Sequence, residues 1–172
     1  METVISFWSS GDMRFFSALM DTLGAAGYEH YEISNFCKPG MYSRHNTAYW
    51  KGIPYLGCGP SAHSYNGVSR QWNVASLDTY IKGISAGTPV FEIEELDLYT
   101  RYNDFVITRI RTEWGMPLSK LRDEFGEKLY DYCLRMAAPH LKQGTLELVN
   151  DILKLTRKGI FISDGIMSDM LW

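Results

Sequence analysis

The distribution of glycine and proline constrains this chain more than any other feature. Between Gly40 and Gly87 lie seven further residues of this class, Gly52, Pro54, Gly57, Gly59, Pro60, Gly67 and Gly83, most of them bracketing short apolar pieces. Glycine and proline interrupt helices and set turns, so this stretch reads as short strands and loops. After Phe91 the pattern becomes helical. The chain therefore has two halves of different character, and the extended segment from Thr88 to Glu95 reads as the junction between them.

Periodicity and caps place the elements. Asp12 can cap a helix whose apolar positions Phe15, Leu19 and Leu23, with Phe16 and Met20, form a core stripe, and Gly24 and Gly27 end it. Tyr28 to Phe36 reads as one extended, largely covered strand. A second helix starts at Ser76, sets Leu77, Tyr80, Ile81 and Ile84 on one face, and stops at Gly87 and Pro89. A third begins near Asp97, turns Leu98, Tyr102, Phe105, Val106 and Ile110 inward, and is over by Gly115-Met116-Pro117. Beyond Pro117 come a short helix to about Phe125 and another from about Glu127, interrupted near Pro139 because proline has no amide hydrogen to donate. Leu146 to Leu148 and Ile152 to Leu155 pair across a tight Asn150-Asp151 turn. Thr156 caps a last helix to about Leu171. Helices followed by a β-hairpin are the order of a winged-helix-like module, and the whole reads as α+β.

Composition narrows the function classes. With 22% charged residues, 45% hydrophobic residues and no low-complexity tract, the chain reads as globular. No apolar run approaches the roughly 18 residues of a membrane span. Met1 to Ser10 lacks the features of a secretory signal, so the cytoplasm is the default compartment. Three cysteines, Cys37, Cys58 and Cys133, fit reduced thiols better than a disulfide framework. From Ile93 onward there are 11 Lys/Arg against 13 Asp/Glu, and before it 6 against 7, so neither half offers the basic surface that nucleic acid demands.

The densest chemistry lies between Tyr31 and Ser64, where Asn, His, Ser and aromatic residues crowd together. Polar side chains at the end of a covered strand, followed by glycines that admit a ligand close to backbone, describe a concave binding site. Cys37, His45, Cys58 and His63 are zinc-ligand types, but their spacings of seven, twelve and four intervening residues match no compact zinc pattern. Cys58, set among glycines, reads as a small buried filler rather than a nucleophile. Gly57-Cys58-Gly59-Pro60-Ser61 lacks the lysine and the spacing of a phosphate-binding loop. For His45 and His63, loop-orienting hydrogen bonds and direct ligand contact both stand. The aromatic load of 5 Trp, 11 Tyr and 8 Phe reads as core before it reads as a porphyrin-stacking surface.

Three ordered blocks, YEISNFCKPG at 31–40, RHNTAYW at 44–50 and YLGCGPSAHSYNG at 55–67, resemble the oxygen-independent coproporphyrinogen III oxidase family and, more closely, its haem-chaperone-type relatives, the HemN/HemW-like radical SAM proteins. Tyr102 to Arg111 and Leu155-Thr156-Arg157-Lys158-Gly159 resemble the same family's small carboxy-terminal domain. The resemblance covers about residues 13 to 171. It implies the last strands and helices of a partial (β/α) barrel over residues 1–90, with 1–12 unmatched, and a winged-helix-like domain over 91–172. In such proteins a Cys-x-x-x-Cys-x-x-Cys loop binds a [4Fe–4S] cluster whose open iron chelates S-adenosylmethionine, the source of a 5′-deoxyadenosyl radical.

The chain departs from the family at that loop, since no two of its cysteines are closer than 20 intervening residues. The expectation is a carboxy-terminal fragment of such a protein, catalytically incomplete, with no cofactor of its own. The intact protein would take the cluster, S-adenosylmethionine and a porphyrin or haem. By resemblance, Glu32, Ser34 and Asn35 sit at the end of a barrel strand, and Gly57, Gly59, Ser61, Ala62 and His63 form the following turn and strand, all facing S-adenosylmethionine. Arg44, His45, Asn46, Tyr49 and Trp50 line the substrate pocket. Asp104 is expected to make an inter-domain or capping contact. Uncovered strand edges would favour self-association. The alternatives are a winged-helix DNA-binding regulator acting through Arg157 to Leu171, and a non-catalytic interaction module.

Overall fold

A computed structural model describes residues 10–172. The segment read for a signal peptide, residues 1–9, lies outside the described residues. Fifteen elements follow one another: α1 (Ser10–Ala25), β1 (Glu29–Glu32), β2 (Asn35–Cys37), α2 (Arg44–Trp50), β3 (His63–Tyr65), β4 (Ser69–Asn73), α3 (Leu77–Ser85), β5 (Phe91–Glu95), α4 (Leu98–Ile110), β6 (Met116–Pro117), α5 (Leu118–Gln143), β7 (Leu146–Val149), β8 (Ile152–Leu155), α6 (Arg157–Ile160) and α7 (Ser163–Met170). They build a β1–β2 hairpin, a sheet in the order β3-β4-β5 and a sheet in the order β6-β8-β7. Every strand pair among the described residues is antiparallel, and no closed barrel forms among them.

The second half contains the core. One continuous cluster joins Tyr102, Val106 and Ile110 of α4 to Leu121, Leu129 and Cys133 of α5, Leu146 and Leu153 of the hairpin, and Ile166 and Met170 of α7. Local signals set its boundaries. Asp97 accepts a hydrogen bond from the amide of Thr100 at 2.7 Å, and Thr156 accepts one from the amide of Gly159 at 3.2 Å, each satisfying an orphan donor of a first turn. Asn150 and Asp151 both take positive φ, 49° and 69°, which closes the two-residue β7–β8 turn in the sense that matches strand twist. The break expected between Phe125 and Glu127 falls at Gly126, with φ 77° and ψ 173°, but the further interruption expected near Pro139 does not occur, and that residue sits inside the helix. Proline removes one backbone bond, whereas the Gly126 conformation leaves the helical region and favours a residue without Cβ.

The first half departs further from expectation. Tyr28 to Phe36 is not one strand: the chain reverses at Ile33-Ser34, and Glu32 pairs with Asn35. The helix α1 begins two residues ahead of Asp12, and its expected core stripe is turned outward at Phe15 and Leu19. Phe16 is the residue that packs, edge-on to His30, Phe36 and Phe161. Ser76 caps α3 as its sequence implies, yet Leu77, Ile81 and Ile84 all lie exposed. The whole of β5 is exposed on one edge of its sheet while its other edge pairs with β4 through five registered residues. Apolar faces of α1, α3 and β5 therefore have no cover among the described residues. No helix among them is long and apolar enough to cross a membrane.

Candidate functional site

The strand β1 ends by burying a carboxylate. Glu32 is 2% exposed, and its Oε2 accepts hydrogen bonds from the amide of Ser34 at 3.1 Å, the Ser34 hydroxyl at 3.2 Å and the Asn35 side-chain amide. This side chain closes the reversal that a glycine would otherwise mark. Its Oε1 accepts from Arg111 Nε at 2.7 Å, where α4 ends against the strand. Burial raises the Glu32 carboxyl, but the hydrogen bonds from Asn35, Arg111 and Ser34 outweigh it and hold the group below the usual glutamate range.

The helix α2 continues this network. Ser43 caps it by accepting from the amide of Asn46 at 3.3 Å, and the Asn46 side chain donates to Asn35 Oδ1 at 3.3 Å. Trp50 at the other end lies under the Arg111 guanidinium, 4.4 Å from its ring centre. Arg44 and His45 are exposed on α2. The His45 ring stands edge-on to Tyr49 at 4.7 Å, and Tyr49 edge-on to Tyr55 at the same separation.

The third block is a loop pinned from inside. Tyr55 and Tyr65 exchange two backbone hydrogen bonds of 2.9 Å. Gly57 donates its amide to Ser64 Oγ at 3.0 Å and Gly59 donates to Tyr80 OH at 3.0 Å, while the Asn73 side chain donates to both glycine carbonyls. A Cβ on Gly57 would stand 2.1 Å from the His63 carbonyl oxygen, so only glycine fits this close approach. The Ser61 and Ala62 amides bond to Val74 and Gly59 carbonyls, and Ser61 takes a φ of 56°. His63 stands exposed on β3, its ring 6.0 Å from that of Trp72. Glu32, Ser34, Asn35, Asn46 and Trp50 thus come together in one network through Arg111; Gly57, Gly59, Ser61, Ala62 and His63 form a separate loop.

Residues 96–162 match the HemN C-terminal domain family. The haem chaperone HemW of Mycobacterium tuberculosis is 36% identical over 150 residues, spanning 87% of this chain and 36% of the relative. HemW of Bacillus subtilis is 26% identical over 161 residues, spanning 93% and 42%. The chain belongs to the HemN/HemW-like radical SAM family. Coproporphyrinogen III oxidase HemN from Escherichia coli, titled a radical SAM enzyme, has the same fold, with a TM-score of 0.68 at 18% identity over 95% of this chain and 42% of that one. The chain thus spans about two fifths or less of the length of these relatives.

The HemN-type match begins at Leu96, where the chain leaves β5 for α4. Across that point Arg70 of β4 pairs with Asp104 of α4, the contact expected of Asp104. Among the described residues no group of three or more cysteine, histidine or carboxylate side chains is placed to hold a metal ion, so they do not fit an iron–sulfur cluster or a zinc site. Cys37 and Cys133 are buried, and Cys58, expected as a buried filler, is exposed. Its neighbouring glycines serve hydrogen bonds on the inner side of the loop and leave the thiol outside. Sequence reasoning missed Arg101, Arg109 and Arg111. Arg101 and Arg109 line a cavity of about 340 Å³ bounded by α2, β4, α4 and α5. Their signal was available: Arg101, Asp104 and Thr108 recur at helical spacing beside the apolar stripe of α4.

Proposed function

We propose that this chain is the carboxy-terminal part of a haem-handling radical SAM protein, and that it supplies a haem-contacting face rather than the radical-generating centre. One observation carries the reading. Of the four histidines, His30 bonds to the Ile33 carbonyl at 2.9 Å and stacks on Phe36, and His140 is buried beside Asp169 and Thr145. The side chains of His45 and His63 are both exposed and make no hydrogen bond among the described residues; what separates them is that His45 stands at the head of the Tyr49–Tyr55 aromatic series, whereas His63 has the Trp72 ring at 6.0 Å. An available imidazole beside aromatic rings suits the iron and the flat face of a haem, and relatives across most of this chain are titled haem chaperones.

In the same proposal Arg44, Asn46, Tyr49 and Trp50 shape the haem-side pocket around His45. Glu32, Ser34, Asn35, Gly57, Gly59, Ser61, Ala62 and His63 form the wall that in the complete protein faces S-adenosylmethionine. The amides of Gly57, Gly59, Ser61 and Ala62 are engaged within the chain, so these residues shape that wall and do not grip the cofactor. Residues 1–90 and 91–172 are the barrel part and the carboxy-terminal domain, and the protein works in the cytoplasm. The DNA-binding reading relied on Arg157 and Lys158, and both are engaged within the chain: Arg157 pairs with Asp21 at 2.5 Å and bonds to Ser17, and Lys158 donates to the Gln143 carbonyl at 3.0 Å.

Titration of the chain with ferric haem, followed at the Soret band, tests this. His45→Ala is expected to weaken binding about tenfold or more, a loss of at least ~1.4 kcal/mol, and His63→Ala to change it less than about twofold, well within that step. Equal affinity of wild type and His45→Ala, or a larger loss at His63, would overturn the proposal.

A further inference from the structure

The cavity on α4 holds an unbalanced set of charges. Five cations line it against two carboxylates, and two of those cations are matched: Arg70 pairs with Asp104, and Lys120 with Glu124 at 3.4 Å. Lys51 lies over the Trp114 ring at 4.9 Å. Arg101 and Arg109 make no ion pair among the described residues, and the Nε–H of each is buried without a partner. The Arg101 side chain makes no hydrogen bond among those residues; its backbone amide donates to the Asp97 carbonyl as part of the first turn of α4. Arg109 donates one bond, to the Lys51 carbonyl at 3.0 Å, and its guanidinium lies 5.4 Å from the Phe105 ring centre, so it is held in one orientation. Glu124 favours its charge from a distance, yet desolvation dominates and lowers the Arg109 pKa.

Two guanidinium groups facing one cavity with buried, unsatisfied donors are a costly arrangement unless an anion completes it. The rest of the wall says what the anion is attached to. Tyr49, Tyr55, Tyr65 and Phe125 present ring surface to the same space. A bare inorganic ion would leave those rings uncovered, whereas an aromatic body would stack on them.

We propose that this cavity binds a carboxylate carried on an aromatic body, with Arg101 and Arg109 taking the carboxylate and the tyrosines taking the ring. Arg101 is the primary donor because its guanidinium makes no hydrogen bond or ion pair among the described residues; Arg109 is pre-set by the Lys51 carbonyl. The site shares Tyr49 and Tyr55 with the proposed haem side of α2 but does not use His45, and its test reads Arg101 and Arg109 rather than haem, so the two can fail separately.

The test is NMR of the full chain labelled at arginine Nε, titrated separately with benzoate, with its neutral isostere benzamide, and with inorganic phosphate. Benzoate is expected to shift the Arg101 and Arg109 Nε–H signals saturably, benzamide to leave them in place, and phosphate to bind at least about fivefold more weakly than benzoate, the carboxylate-bearing ring being favoured by stacking. Arg101→Gln should weaken benzoate about tenfold with the remaining amide spectrum unchanged, since the Arg101 side chain makes no hydrogen bond among the described residues and its backbone bond to Asp97 is retained. Absence of a benzoate shift, an equal response to benzamide, an affinity for phosphate as high as for benzoate, or undiminished benzoate binding by Arg101→Gln would each overturn the proposal.

Discussion

Arg111→Ala isolates the energetics of the Glu32 network. The Glu32 side chain has no exposed surface, and that of Arg111 is 26% exposed, so the two halves of the pair are unequal. Removing the arginine leaves a carboxylate with no route to water, a change that costs about 3–5 kcal/mol for a fully buried pair. Three donors from Ser34 and Asn35 remain on the other oxygen, which brings the expected loss to about 2–3 kcal/mol, including the contact with Trp50. Glu32→Gln is milder, about 1 kcal/mol, because the guanidinium it strands still reaches solvent and still lies on Trp50. The pH dependence follows from the lowered Glu32 pKa. Its stabilisation is complete above the unfolded-state value of about 4.3 and is lost as pH falls through the folded value. In Arg111→Ala the burial persists without the cation, so the carboxyl is raised and the deficit against wild type narrows in acid. Urea unfolding read by tryptophan fluorescence at pH 7 and at the lowest pH where wild type stays folded measures both. Equal deficits at the two pH values, or a larger loss from Glu32→Gln than from Arg111→Ala, would refute the reasoning.

Three further outcomes are expected. Gly57→Ala should cost about 3 kcal/mol, since the added methyl must displace the His63 carbonyl and overpacking is not relieved by side-chain rotation; a change of about 0.5 kcal/mol or less in the same unfolding assay would contradict the close approach. Ellman's reagent should titrate one thiol quickly, Cys58, and the other two only on unfolding, because burial excludes the reagent and pushes the Cys133 thiol up to about 11; two fast thiols would contradict this. The chain should self-associate through the uncovered faces of α3 and β5, so light scattering should give a mass that rises with concentration and falls in Ile81→Lys/Ile93→Lys; a constant monomer mass would count against it.

Features decided within a few residues were legible in the sequence. Ser76, Asp97 and Thr156 cap helices where they stand, and Asn150-Asp151 turns the β7–β8 hairpin, because each acts on backbone no more than three residues away. Features decided by distant partners were not. The reversal at Ile33-Ser34 carries no glycine or proline; the Glu32 carboxylate makes it, and Arg111, 79 residues on, completes that carboxylate's shell. Periodicity identified the apolar faces of α1 and α3 correctly as faces, but it carries no information on whether anything covers them, and Phe15, Leu77 and Ile81 are exposed. The break in α5 between Phe125 and Glu127 was legible and falls at Gly126, whereas the second interruption expected near Pro139 is absent, because proline costs one backbone bond without taking the chain out of the helical region. For the candidate site, block composition pointed to α2 and the Gly57–His63 loop, and missed Arg109 and Arg111, which tie Lys51, Glu32 and Trp50 to the second half.

Paramagnetic NMR tests the proposed contact of haem with α2 most directly. Ferric haem added to the isotopically labelled chain should broaden the signals of residues 44–55 first, centred on His45 and Tyr49. Broadening centred instead on His63 and Trp72, or on α6 and α7, or a spectrum that haem leaves unchanged, would contradict it.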